Sequence, residues 1–155
     1  MEKINNISQI ITGKTLCLLF ALLLCSSLIF SQDKISVIGN TKGVPASMKM
    51  NEVVSVLKGE KQRWNDGTKI VIALMKTSTP IGSNTGKKIY NMTGDELNKY
   101  WLALVFQGKS QAPSFFNSAA ELESFVAQTP GAIGVVEQAT GDQAHTVAID
   151  GKKTF

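Results

Sequence analysis

Lys69 to Met75 reads KIVIALM, a continuous apolar run of strand length, and the fold class turns on it. A strand with one wetted face alternates apolar and polar residues. A run without alternation belongs to a strand covered on both faces, as in a parallel sheet flanked by helices. Turn formers bound the run on both sides, with Trp64-Asn65-Asp66-Gly67 before it and Thr77 to Gly86 (TSTPIGSNTG) after it. The segment reads as a strand that enters from a turn and leaves into a polar loop.

Upstream, Ile35 to Gly39 (ISVIG) is a short β-branched run, and Asn40 to Ala46 (NTKGVPA) is dense in turn formers. Met50 to Leu57 is helical in pattern, with Val53, Val56 and Leu57 on one face, Val54 beside them and Gly59 at the stop. Its start is weakly marked, since Ser47 lies early for a capping side chain. Downstream, a helical turn is expected from Lys87 to Asn91. Thr93-Gly94-Asp95-Glu96 then forms a capping box, flanked by Met92 and Leu97 at the spacing of a hydrophobic staple. Leu97, Tyr100, Trp101, Leu104 and Val105 follow as one stripe expected to be buried, ended by Gly108. Ser118-Ala119-Ala120-Glu121 is a second capping box, opening a helix that turns Leu122, Phe125 and Val126 inward until Pro130-Gly131. Ala132 to Glu137 (AIGVVE) and Thr146 to Asp150 (TVAID) are strands separated by the turn Thr140-Gly141-Asp142. The alternation is that of an α/β sheet, mostly parallel, with crossover helices.

The 155 residues carry 16 Lys and Arg against 12 Asp and Glu. Met1 to Lys14 is polar, and Leu16 to Phe30 (LCLLFALLLCSSLIF) is apolar with small residues behind it, the layout of a secretory signal peptide. Residues 1–31 are therefore expected to be a leader and 32–155 one exported domain, periplasmic or secreted. Removing Lys3, Lys14 and Glu2 with the leader lowers the net charge from +4 to +3. Both cysteines, Cys17 and Cys25, fall in the leader as well. The remainder has one histidine and no acidic run, which excludes a disulfide scaffold, a zinc module and a thiol enzyme. No cofactor is called for.

Small polar residues and glycines crowd the stretch after the KIVIALM strand: Ser78, Thr79, Gly82, Ser83, Asn84, Thr85 and Gly86. Ligands of open α/β sheets bind outside the carboxyl ends of strands, and a helix start there offers N–H groups to an anion. Glycine admits close backbone approach, and the hydroxyls can donate to oxygens. On composition alone the same stretch is also an ordinary surface loop rich in turn residues.

Val54 to Gly67 (VSVLKGEKQRWNDG), the Gly82-Ser83-Asn84-Thr85 loop, Tyr100-Trp101 with Phe106-Gln107-Gly108-Lys109, and Pro130 to Glu137 (PGAIGVVE) occur in that order along about Ile35 to Glu137. Together these runs resemble the phosphate-binding proteins of ABC transporters. The W-N-D-G turn and the P-G-A-I-G strand are the specific part. The resemblance is closest to short, single-lobe relatives of that family. It implies a type II periplasmic-binding-protein lobe that takes phosphate or a related oxyanion for an ABC-type uptake system, with a membrane complex as partner. It also implies ligand contacts at Gly82, Ser83, Asn84 and Thr85, to which loop placement adds Ser78. Asn84 stands where the family has a second glycine. The family's arginine and acidic residue ahead of the loop are replaced here by Thr79, Pro80 and Ile81, with Lys76 the nearest cation. That departure motivates an alternative, a non-catalytic secreted interaction module that keeps the lobe, has lost small-ligand binding and docks on a membrane complex or on a second copy.

The remaining features read more simply. Trp101 sits on the buried stripe rather than on a binding face with Trp64, Phe115 and Phe116. Lys58, Lys61, Arg63 and Lys69 form a basic stretch around Trp64 that could attract nucleic acid or anionic lipid, but a solvated surface accounts for it and no nucleic-acid partner is expected. His145 stands alone, so no nucleophile, base and orienting group can be assembled and no enzyme is read here. Asn91-Met92-Thr93 matches a glycosylation sequon by three residues.

Overall fold

A computed structural model describes residues 34–139 and 144–155. The expected leader over residues 1–31 and the expected turn at Thr140-Gly141-Asp142 lie outside the described residues. The elements run β1 (Ser36–Gly39), β2 (Ser47–Met48), α1 (Met50–Leu57), β3 (Val71–Met75), α2 (Pro80–Thr85), a π-helical turn (Gly86–Tyr90), α3 (Gly94–Phe106), β4 (Ser114–Phe116), α4 (Ala119–Gln128), β5 (Ala132–Val136) and β6 (His145–Ile149).

The six strands form one sheet in the order β2-β6-β1-β5-β3-β4. β3 runs parallel to β5 (Val71 opposite Ala132) and to β4 (Ala73 opposite Ser114), and β2 runs parallel to β6. β1 runs against both of its neighbours, pairing Ser36 with Val136 and Val37 with Val147. The sheet is thus parallel at three of its five contacts, with an antiparallel strand at its centre. The backbone of Ile35 also exchanges two hydrogen bonds with that of Phe155, at 2.9 and 3.0 Å.

Both faces of the sheet are covered, as the unbroken apolar run of β3 requires. Ile72 and Leu74, with Val37, Ile133 and Val135, face a core shared with Val53, Val56 and Leu57 of α1 and Leu97 and Trp101 of α3. Ala73 and Met75, with Ile38 and Val136, face a second core closed by Leu122 and Val126 of α4. Gly134 lets α4 come down on β5, since a Cβ there would lie 2.6 Å from Cδ2 of Leu122.

Helix starts follow the sequence signals. Thr93 and Glu96 form a complete capping box, with the Thr93 N–H donating to the Glu96 carboxylate at 2.8 Å. At Ser118 the hydroxyl accepts from the Glu121 N–H at 3.3 Å, the first half of the expected box. α1 starts with no side-chain cap, as its weak signal implies. Tyr90 and Tyr100 donate their hydroxyls to the carbonyls of Leu57 and Lys58, which α1 leaves without intrahelical partners at its C-terminal end.

Three expectations are corrected. Thr77 to Gly86 is not a loop throughout, because α2 begins at Pro80 and runs straight into the π turn. Val105 is exposed rather than buried: α3 is pinned to the core by Leu97 and Trp101, and its far side carries Leu102, Val105 and Phe106 into solvent. β2 and β4 have two and three residues, too short for a periodicity signal, and were not read as strands.

The two motifs most specific to the resemblance meet in space. Trp64, from the W-N-D-G turn, donates its indole N–H to the carbonyl of Gly131, from the P-G-A-I-G strand, at 2.9 Å. The same carbonyl accepts the Val71 N–H at 3.2 Å, and the Gly131 N–H donates to Lys42 O at 2.8 Å. Gly131 is held at φ +75°, and a Cβ would lie 2.2 Å from Lys69 O. Glycine alone fits this position.

Candidate functional site

The residues read as an anion loop occupy a ledge beyond the carboxyl end of β3, where ligands of α/β sheets collect. β3 gives way at Lys76, whose N–H bonds to Phe116 O at 2.9 Å. Its carbonyl then accepts both the N–H and the hydroxyl of Thr79, at 2.9 and 2.7 Å. The Thr79 hydroxyl in turn accepts from Gly82 N at 3.1 Å and caps α2, with Pro80 at the first helical position, where its fixed φ suits a helix. The Thr-Pro pair is the sequence signal that could have placed this helix start. Its weight was missed because the glycines after it suggested a loop.

Gly82 is packed so closely on the end of β3 that a Cβ would lie 2.0 Å from Lys76 O. Its role is proximity, and its N–H is taken by Thr79. The Ser83 N–H bonds to Thr79 O at 2.9 Å. Thr85 is buried and returns its hydroxyl to Ile81 O at 2.8 Å, a bond within the helix. Of the five expected contacts, then, Gly82 and Thr85 have their donors occupied internally. The Ser78 side chain is exposed, those of Ser83 and Asn84 are half-buried, and the described hydrogen bonds use none of the three. Ser78 precedes the cap while Ser83 and Asn84 lie in the body of α2, so the residues share one ledge without forming a closed loop.

Thr77 and Asn98 were not singled out by sequence. Asn98 donates to the Thr77 hydroxyl at 3.3 Å, and Gly94 is tight against Thr77, where a Cβ would lie 2.9 Å from the Thr77 Cβ. The start of α3 thereby abuts the ledge. Lys76, exposed, is its nearest cation in sequence. The chain has one arginine, Arg63, and it lies at the opposite end of β3, before the strand begins.

Elsewhere, half-buried His145 has Pro45 O at 3.4 Å from its Nε2. No group of three or more metal-ligating side chains occurs among the described residues. No helix among them is long and apolar enough to cross a membrane. Burial holds the Tyr90 phenol well above its ordinary value. The Trp101 indole N–H pulls slightly the other way but reaches no acceptor at hydrogen-bonding geometry. The Glu96 carboxyl, held by the N–H and hydroxyl of Thr93, lies below the usual range.

No family model and no curated protein matches this sequence. Solved structures do match its fold. One is a phosphate ABC transporter substrate-binding protein from Clostridium perfringens, solved with bound phosphate (14% identity, TM-score 0.58, 77% of this chain and 46% of that one). Another is an ABC-type phosphate transport receptor from Vibrio cholerae (10% identity, TM-score 0.62, 79% and 49%). A third is PstS from Borrelia burgdorferi (16% identity, TM-score 0.57, 77% and 48%). The chain has a periplasmic-binding-protein-like fold and spans about half the length of each of these proteins.

Proposed function

We propose that the chain is an exported, non-catalytic solute-binding lobe that takes a small oxyanion, phosphate first, for an ABC-type uptake system. The observation that carries this reading is the ledge itself: hydroxyl and amide side chains at the carboxyl end of a strand with parallel neighbours on both sides, in a fold shared with proteins named for phosphate transport. In this reading the Ser78 and Ser83 hydroxyls and the Asn84 amide donate to the ligand. Gly82 acts by drawing α2 against β3, and Thr85 by holding the turn beneath. With lysine rather than arginine as the nearest cation, the ligand is held by neutral donors and a point charge, and the expected affinity is in the millimolar range.

The test is thermal melting with phosphate, sulfate and chloride. Phosphate at about ten times its Kd raises stability by about 1.4 kcal/mol, a shift of several degrees for a chain of this size. Ser83→Ala should shrink that shift by at least half while leaving the ligand-free midpoint within a degree. A flat panel up to several tens of millimolar phosphate, or a shift untouched in Ser83→Ala, defeats the reading.

A second reading is the interaction module without a small ligand, docking on a membrane complex or a second copy. One observation favours it. Leu102, Val105 and Phe106 of α3 stand 58%, 41% and 82% exposed at i, i+3 and i+4, an apolar stripe turned outward. Light scattering across a concentration series would show dimer for the self-association form of this reading. A monomer at the highest concentration would eliminate that form.

A further inference from the structure

A crevice of about 500 Å³ opens at the other end of β3, away from the ledge, between the segments 59–63 and 108–112. Its floor is the start of the strand, including Ile70 and Ile72, and its wall carries Lys61, Arg63 and Lys69 with Gln111 opposite. No acidic side chain lines it. Volumes of roughly 300–1,000 Å³ hold drug-sized organic ligands.

The charges are arranged unfavourably for an empty surface. Arg63 and Lys69 are paired across an antiparallel bridge, which brings their side chains side by side, and like charges in that relation repel. Arg63 gives one N–H to Gly67 O at 2.9 Å and keeps the rest of its fork. The Lys69 ammonium has no hydrogen bond or ion pair among the described contacts. Of the three cations on the wall, Lys61 is paired with an acid, Glu52, at 3.2 Å. The only arginine of the sequence, the side chain best suited to a planar or tetrahedral anion, thus stands beside an unengaged lysine over an apolar floor.

We infer that this crevice binds a small amphiphilic anion, with a phosphate, sulfonate or carboxylate head bridging Arg63 and Lys69 and a short apolar body lying on Ile70 and Ile72. The head relieves the repulsion between the two cations, and the floor supplies affinity that a bare oxyanion would lack. The site is separate from the ledge, at the opposite end of the same strand.

The experiment is an amide chemical-shift titration of the protein with hexyl phosphate, inorganic phosphate and hexanol in parallel. Hexyl phosphate should move resonances of residues 61–63, 69–72 and 108–112 saturably, at least tenfold more tightly than either control, and weaken as salt is raised. Lys69→Gln should weaken it about five- to tenfold. That variant removes one of two repelling charges at an exposed position, so it folds at least as well as the parent. The inference is overturned if no saturable shift occurs at those residues, if hexanol or inorganic phosphate matches hexyl phosphate, or if Lys69→Gln binds as the parent does. Shifts confined to residues 76–85 would also overturn it. The Ser83→Ala protein should bind hexyl phosphate in the crevice unchanged, so this inference and the ledge reading stand or fall separately.

Discussion

Replacing Gly131 by alanine tests the packing at the meeting of the Trp64 turn and the β5 strand. Two penalties combine there. The first is conformational: at φ +75° an L-residue costs roughly 1–2 kcal/mol, less a few tenths for the stiffer unfolded chain. The second is steric. The new Cβ would lie 2.2 Å from Lys69 O, and backbone on both sides must move to admit it, which costs about 1–3 kcal/mol. That movement also loosens the carbonyl shared by the Trp64 indole and the Val71 N–H. The sum is about 2–5 kcal/mol, a large part of the roughly 5–15 kcal/mol that holds a domain together. Gly67→Ala supplies the control, because Gly67 stands at φ +85° with nothing within 4 Å of its would-be Cβ. It should cost only about 1 kcal/mol. Urea unfolding followed by tryptophan fluorescence reads both variants, and the difference between their midpoints isolates the steric part. Equal losses for Gly131→Ala and Gly67→Ala would refute the close approach and leave backbone strain as the whole effect.

The contact of α4 on β5 should behave as a coupled pair. Leu122→Ala is expected to cost about 2–5 kcal/mol, and Gly134→Ala about 1–3 kcal/mol through its collision with the Leu122 side chain. In the double variant the collision is gone and the added methyl fills part of the space, so the loss should fall clearly below the sum of the two; simple additivity in urea midpoints would contradict the packing. A different probe is pH. Burial raises the Tyr90 phenol in the folded state, so its contribution to stability is complete below the unfolded value of about 10 and is lost as pH rises beyond it. Stability should fall progressively as pH rises above about 10. Tyr90→Phe should flatten that fall while lowering stability at neutral pH by about 1 kcal/mol for the bond to Leu57 O. A native protein in which both tyrosines ionise near the ordinary value would contradict the burial.

What was legible in the sequence followed the range of each signal. The KIVIALM run showed a strand covered on both faces because both of its cores are written into seven consecutive residues. Thr93 and Glu96 announced a helix start because a capping box is complete within four. The centre of the sheet was not legible in this way. Nothing in ISVIG says that β1 runs against both neighbours, since direction is decided by partners about a hundred residues away. Residues 77–86 were expected as a loop after β3, and they do follow that strand, but most of them are helical. The glycines and serines of residues 82–86 suggested a loop, while Thr79 and Pro80 had already committed the chain to helix. Gly82 was read as a ligand contact from the resemblance and from the close backbone approach glycine admits, and the close approach in the structure is to the Lys76 carbonyl at the end of β3. Arg63 and Lys69 were read as part of a solvated stretch and both are exposed, but the bridge that sets them opposite each other closes across a turn whose geometry composition does not reveal.

The position of β1 also sets an order of events during synthesis. Among the described strands it is the first to be made and lies inside the sheet, and its partners β5 and β6 are the last two. While the ribosome is still adding the residues between, Val37 and Ile38 have no strand to pair with, and Ile35 waits for Phe155. Contacts this distant in sequence form late and slowly. A nascent chain with this wiring cannot complete the centre of its sheet until residues 132–149 have emerged, so the strand made early spends the interval without its partners.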